Sequence, residues 1–314
     1  MKFLLAPLVF LILALFAPRA EAQTCSATMS AVNFGSPNIL AGATVDTTGT
    51  LSVTCQNLGA QTVRVCPSLG SGSGGTSGTS RRMTGSSGSL LLYDLYQDNA
   101  RTQKWGSSTD ASLGTVPTFN IVSVDNSIIT ANYVVYARLA ASQNTQPPGS
   151  YASNYGVSDT DVLFNHGNGC GGSAVAPAGH PTFAVSATPQ NYCTISVNDL
   201  PFGSKGVLDA VVDASAVMSV ACTMSTAYAI SLDNGLTGTS PTNRLMTRLG
   251  QSVAYGLYRN AARSQSWSTV AAGGAVAGTG TGVSQSVTVY GRVPVQQTPA
   301  PGIYADTVVA TVEF

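Results

Sequence analysis

The sequence predicts an all-β chain folded as two tandem β-sandwiches, on three observations: one long duplication, many short alternating runs, and six cysteines, four of which follow the duplication. The stretch from Tyr93 to Trp105 returns between Tyr255 and Trp267 with seven of thirteen positions identical. Around it, Cys25, Phe34, Gly35 and Cys55 are answered by Cys193, Phe202, Gly203 and Cys222. Tyr136 and Arg138 are answered by Tyr290 and Arg292, and the run Pro148, Gly149, Ser150, Tyr151 by Pro301, Gly302, Ile303, Tyr304. The offset shrinks from 168 at the first cysteine to 153 at the Pro-Gly pair, as small loop deletions in the second copy would produce. A repeat this long is a whole domain, not a solenoid unit.

Within each copy the apolar residues alternate over short runs such as 51–55, 62–65, 133–136, 217–220 and 287–290. Gly, Pro, Asn and Ser clusters cut these runs, the pattern of half-buried strands. Each copy is long enough to enclose its own core. Only 9% of residues are charged and the formal net charge is zero, which argues against nucleic acid or an anionic membrane surface as partner.

Taken in chain order, Lys2, the apolar run 3–17, Arg19 and the small-residue pattern Ala20, Glu21, Ala22 read as a signal peptide over 1–22. The apolar run is short for a membrane anchor. The expected mature chain starts at Gln23, is exported, and has no transmembrane segment after signal removal. Its first domain is expected over 23–190 and its second over 191–314. Export into an oxidising compartment makes the cysteines disulfides. Cys25 and Cys55 stand 30 apart, Cys193 and Cys222 stand 29 apart, and equivalent residues of duplicated domains do equivalent work. That pairing leaves Cys66 with Cys170. No C-x-x-C spacing exists and the two histidines, His166 and His180, share one Gly/Pro-rich loop, so neither metal nor other cofactor is expected. The run 71–80 reads as a flexible loop, with 271–282 its looser counterpart.

Tyr93, Tyr96 and Trp105 recur as Tyr255, Tyr258 and Trp267. A receptor site belongs to one domain and core residues to both, so these aromatics read as packing rather than a sugar platform. Arg101 and Arg263 read as turn or strand-end residues. No nucleophile elbow, H-E-x-x-H, phosphate loop or dinucleotide fingerprint is present, and no enzymatic activity is expected.

The ordered set of a cysteine, Phe-Gly, a Val-x-Cys strand, an Arg-Met or Arg-Leu-Met step, Tyr-x-Leu-Tyr, Arg-x-Gln-x-Trp, Tyr-x-Arg and Pro-Gly-x-Tyr resembles the spore coat protein U domain. That domain is shared with the pilins of archaic (Csu-type) chaperone–usher pili. The resemblance covers nearly all of the mature chain, twice. Ser268 departs from the usual Gly after the tryptophan, and the first copy carries an insertion over 165–181.

The resemblance implies immunoglobulin-like sandwiches that lack their last strand, leaving a groove and an open edge. A neighbouring subunit fills that groove with an N-terminal extension, a form of β-augmentation. Ahead of Cys193, residues 182–188 put Phe183, Val185 and Ala187 on one face, which predicts a donor-like strand closing the first sandwich from within. Ahead of Cys25 only Gln23 and Thr24 remain, too few at about 3.3 Å per residue to fill a groove. The expectation is a subunit that accepts a strand without supplying one. The last run puts Val308, Ala310, Val312 and Phe314 on one face, the edge strand of an unfilled second sandwich.

The function expected is a tip adhesin of a chaperone–usher pilus, passing through the periplasm to the cell surface and promoting attachment and biofilm formation. Its partners are a periplasmic assembly chaperone, an outer-membrane usher, an adjacent pilin, and an abiotic or host surface. Hydrophobic binding loops are expected where the copies differ: Ile39 and Leu40, Leu113 and Val116, and Val175. A secreted structural protein of a coat or extracellular matrix, or a secreted lectin-like module that would stay at the surface or be released, are the alternatives.

Overall fold

The computed structural model describes residues 22–165 and 176–314. The expected signal segment up to residue 21, and His166, Cys170 and Val175, lie outside the described residues. Ala22 has no regular structure.

In the first copy the strands are β1 (Thr24–Met29), β2 (Val32–Asn33), β3 (Val45–Gln56), β4 (Gly59–Leu69), β5 (Thr76–Ser77), β6 (Ser80–Thr84) and β7 (Leu90–Tyr96). They continue with β8 (Phe119–Asp125), β9 (Ile129–Leu139), β10 (Tyr151–Tyr155), β11 (Thr160–Asn165), β12 (Ala176–Gly179) and β13 (Phe183–Ala187). One sheet runs β1-β3-β9-β7-β6-β10-β13-β2, with β5 paired to β6; the facing sheet runs β12-β11-β4-β8. The second copy holds β14 (Cys193–Ser196), β15 (Val212–Cys222), β16 (Ala227–Leu232), β17 (Arg244–Arg248), β18 (Gln251–Tyr258), β19 (Val276–Thr279), β20 (Ser284–Val293) and β21 (Ala310–Glu313). Its sheets are β14-β15-β20-β18-β17 and β19-β16-β21. Alternation builds both layers: Leu51, Val53 and Cys55 point inward from β3, and Met218, Val220 and Cys222 from β15. Each copy encloses its own core.

The duplicated motifs do the same work twice. Trp105 and Trp267 are fully buried and donate Nε1–H to the carbonyls of Pro67 and Ile230, both at 2.8 Å. Arg81 and Arg244 are fully buried as well. Arg81 donates to the carbonyls of Gly70, Leu69 and Trp105, and Arg244 to those of Asp233, Pro241 and Trp267. Each arginine thus satisfies three backbone carbonyls. Arg101 and Arg263 sit in left-handed turns at φ 57° and 54°. Each lies 5.6 Å over a tyrosine ring, Tyr136 or Tyr290.

Asp46 accepts two hydrogen bonds from Arg138, and Asp213 two from Arg292. Those bonds hold both carboxyls below the usual aspartate range; burial pulls the other way but more weakly. A carboxyl depressed in the fold stabilises above its unfolded value and stops doing so as pH falls through its folded value. Below about pH 4 the native chain should therefore lose the stability margin it holds over Asp46→Asn. Acid titration of the two proteins, followed by unfolding, checks this; equal pH profiles would remove the clamp.

Cys25 lies opposite Cys55 in the β1–β3 register and is disulfide-bonded to it, and Cys193–Cys222 repeats the arrangement between β14 and β15. Cys66 is also disulfide-bonded. Replacing Cys193 and Cys222 by serine should cost the second sandwich about 3–4 kcal/mol and leave the first unchanged. Peptide mapping of unreduced protein should return 25–55 and 193–222 links, and the expected 66–170 link; a link between the copies would contradict the duplication.

Two of the expected binding loops turn inward. The Asn38 side chain accepts from the N–H groups of Leu40 and Ala41, coiling Ile39–Ala41 into a 3-10 turn that buries Ile39 to 4% exposure in the first core. Asp110 accepts from the Ser112 N–H and turns Ala111–Leu113 likewise, leaving Leu113 at 0%. Val116 is half-buried. Leu40, also half-buried, lines a cleft against the second copy with Tyr192 and Val283, where Asn144 Nδ2 donates to the Gly282 carbonyl at 2.7 Å. Ile39 and Leu113 are therefore buried side chains and not exposed fingers.

Candidate functional site

The feature that separates the two copies is a groove of about 980 Å³ in the second. Its floor is the inner face of β15, β18 and β20, with Met218, Val253, Leu257 and Val289. One wall is the stretch through Leu200 and Phe202, the latter set edge-on against Tyr255 at 5.9 Å. The other wall runs from Tyr304 to Val308.

In the first copy the equivalent space is occupied by β13. That strand runs antiparallel to β10, with Tyr151 opposite Ala187, Ser153 opposite Val185 and Tyr155 opposite Phe183. It runs parallel to β2, with Val185 opposite Val32. Phe183, Val185 and Ala187 are 8%, 0% and 1% exposed, and Phe183 stacks on Tyr155 at 4.2 Å. The Phe183-x-Val185-x-Ala187 strand thus fills the first sandwich from within.

Aligned positions show what that strand does. Val32, Met83, Tyr151 and Tyr155 are 0%, 0%, 2% and 2% exposed. Their counterparts Leu200, Met246, Tyr304 and Val308 are only half-buried. The wall that corresponds to β10 is attached to the sheet by one bridge, Thr247 to Ala305, where the first copy pairs Thr84 with Ala152. Among the described residues nothing pairs with its other side. An unpaired edge beside an apolar floor is a template for an incoming strand.

One polar device is specific to this groove. Asp306 stands where the first copy has Ser153, accepts the Tyr255 hydroxyl at 2.7 Å, and also accepts the N–H groups of Leu236 and Thr307. Burial first, then this bond, pushes the Tyr255 phenol far above its usual range, so it stays a neutral donor. The first copy solves the same problem with a Tyr93–Tyr155 hydroxyl pair at 2.9 Å.

The expected final strand needs correction. Alternation suggested a single run over 308–314, but β21 covers only Ala310–Glu313, paired to β16 of the opposite sheet. Val308 lines the groove from the preceding segment, and Asp233 bonds Val309 between the two, where the chain changes sheets. Ala310 and Val312 are half-buried. Phe314, expected inward, is 56% exposed, whereas Phe164, its counterpart, is 5% exposed with β12 alongside. β21 is an edge strand as expected, but the edge that faces the groove is Tyr304–Val308, upstream of it.

Sequence reasoning missed Leu200, Phe202, Tyr304 and Asp306 as groove residues, although the recurring Phe-Gly and Pro-Gly-x-Tyr motifs mark both walls. It also missed an apolar surface at the far end of the first copy. Val122, Val124 and Ile128 are 62%, 79% and 69% exposed, on edge strand β8 and the turn that follows it. The signal was there, in apolar residues on both faces of 121–124.

The family model described as the Spore Coat Protein U domain matches residues 13–158 and 180–311. No curated protein shows significant sequence similarity to the chain. Among solved structures, the chain resembles the chaperone–tip adhesion subunit pre-assembly complex of archaic chaperone-usher Csu pili of Acinetobacter baumannii at 19% identity and a TM-score of 0.56, covering 93% of this chain and 100% of that one. A weaker likeness is to the CupB6 tip adhesin of Pseudomonas aeruginosa, at 13% identity and a TM-score of 0.37, with 93% of each chain covered. Among the described residues no helix is long and apolar enough to cross a membrane.

Proposed function

The chain belongs to the Spore Coat Protein U domain family, and on that premise we propose that it is the tip adhesin subunit of a chaperone–usher pilus. The second sandwich, residues 191–314, accepts a β-strand from the adjacent pilin. The first, residues 23–190, is closed by its own strand and faces outward. The signal segment over 1–22 exports the chain, a periplasmic chaperone holds the groove until an outer-membrane usher delivers the subunit, and the assembled tip promotes surface attachment and biofilm formation. A single observation carries this reading: two copies of one sandwich differ in that the first is filled by β13 while the second has a 980 Å³ apolar groove in the same place.

The attachment surface fits the end of the first sandwich that carries Val122, Val124 and Ile128. The β3–β9 register runs from Val45 opposite Leu139, beside the loops that meet the second copy, to Cys55 opposite Ile129. At about 3.3 Å per residue that puts Ile128 roughly 35 Å from the junction. Exposed aliphatic residues there give each tip a small apolar contact, and many tips acting together raise avidity.

Two substitutions test the two halves. Val308→Arg places a charge in the groove wall at a half-buried position, and fibres from cells making it should lack the chain. Val122→Ser combined with Ile128→Ser should leave assembly intact and reduce attachment to hydrophobic plastic severalfold. Normal incorporation of the first variant would refute strand acceptance; undiminished attachment by the second would remove the apolar contact.

A further inference from the structure

Leu249, Ile303, Val207 and Val295 are 87%, 90%, 60% and 60% exposed, all at one end of the second sandwich. The segments that carry them are tied together. Gln296 N–H donates to the Leu208 carbonyl, and its side chain bonds both backbone groups of Ala254. The Ala300 N–H reaches Gln251 Oε1, and Gly302 packs against the Arg248 guanidinium. Leu249 even holds a left-handed φ of 46°, an uncommon conformation for a bulky side chain.

The first copy has polar residues at three of these places. Ser87 precedes Gly88 as Leu249 precedes Gly250, Ser142 precedes Gln143 as Val295 precedes Gln296, and Ser150 precedes Tyr151 as Ile303 precedes Tyr304. That serine-bearing end is where the second copy docks, through Leu40, Asn144 and Gly282. There β13 leaves the sandwich past Tyr151, the Pro189 carbonyl accepts the Gly149 N–H, and the next folded unit begins at Cys193.

A strand entering the second groove in the same register would leave past Tyr304, beside Gly302 and Ile303. We propose that Leu249, Val207 and Val295, with Ile303 at the rim of the strand groove, form a second docking surface beside that groove for the folded body of the subunit that donates the strand. This rests on the strand-acceptor reading. A donor linker as short as residues 188–192 spans only about 16 Å when extended, so the donor's body must come to rest against this end. Aliphatic residues in place of serines suit a contact between separate chains, where no covalent linker holds the units together.

Photo-crosslinking in the full-length chain tests it. A benzophenone side chain is placed at position 249 or 295 on this surface, or at position 246 in the groove, and the surface-exposed assembled fraction is irradiated. The surface positions should link to the folded body of the same protein whose N-terminal extension is captured from position 246. Leu249→Ser with Val295→Ser, which restores first-copy residues at exposed positions outside the groove, should speed dissociation from the fibre about tenfold or more while the groove crosslink still forms. Capture of a different protein at the surface positions, or unchanged retention of the double variant, overturns the proposal. If position 246 captures no strand at all, strand acceptance itself fails and this surface has no donor to hold.

Discussion

Appending residues 165–190 of this chain after Phe314, with Cys170 written as serine in the added copy, should raise the unfolding temperature of the second sandwich by about 10–20 °C. Phe314 corresponds to Phe164, so the added segment would follow the route that the first copy uses to reach its own closing strand. The copied Phe183 and Val185 side chains contribute about 1.5–3 kcal/mol each on burial, and the alanine less. Covering the half-buried Leu200, Met246, Tyr304 and Val308 contributes further. Ordering the strand residues offsets part of this gain, and the expected rise corresponds to a net gain of about 3–5 kcal/mol. The same extension with aspartate at the copied Phe183 and Val185 positions should give none of it. Calorimetry decides: an unmoved transition with the apolar extension would mean the groove is not a strand site.

The converse change should open the first sandwich. Val185 is 0% exposed between Ser153 and Val32. Val185→Asp buries a carboxylate without a partner and should cost several kcal/mol, enough to release β13. Phe183→Ala removes the ring stacked on Tyr155 and should cost about 3–5 kcal/mol. Each sandwich holds one buried tryptophan, Trp105 or Trp267, so single-tryptophan versions report on the two separately. The Trp105 signal should show early unfolding and association through the exposed edge, with the Trp267 transition unmoved. Simultaneous loss of both signals would mean that the sandwiches fold as one unit.

The duplication, the alternating strands and the paired cysteine spacing were legible because each depends on residues near in sequence or on comparing one copy with the other. Trp105 and Trp267, kept in both copies, were readable as core for the same reason. The closing strand over 182–188 was legible too, since Phe183, Val185 and Ala187 alternate with no competing role.

The binding loops were not legible. Ile39 and Leu113 look exposed in a polar context, yet the side chains of Asn38 and Asp110 coil the backbone and roll them inward. Val122 and Val124 drew no reading, because apolar residues on both faces of a short run do not say that its strand is an edge. Alternation by itself determined which face of each strand is buried. Only the tertiary structure decided which sheet each strand joins: Val308 lies along one sheet and Ala310–Glu313 pairs in the other, though the run over 308–314 reads as continuous. Contacts such as Thr247 with Ala305, and Val185 with Val32, join residues far apart in the chain. They set where an edge stays open, and a pattern of period two carries no information about them.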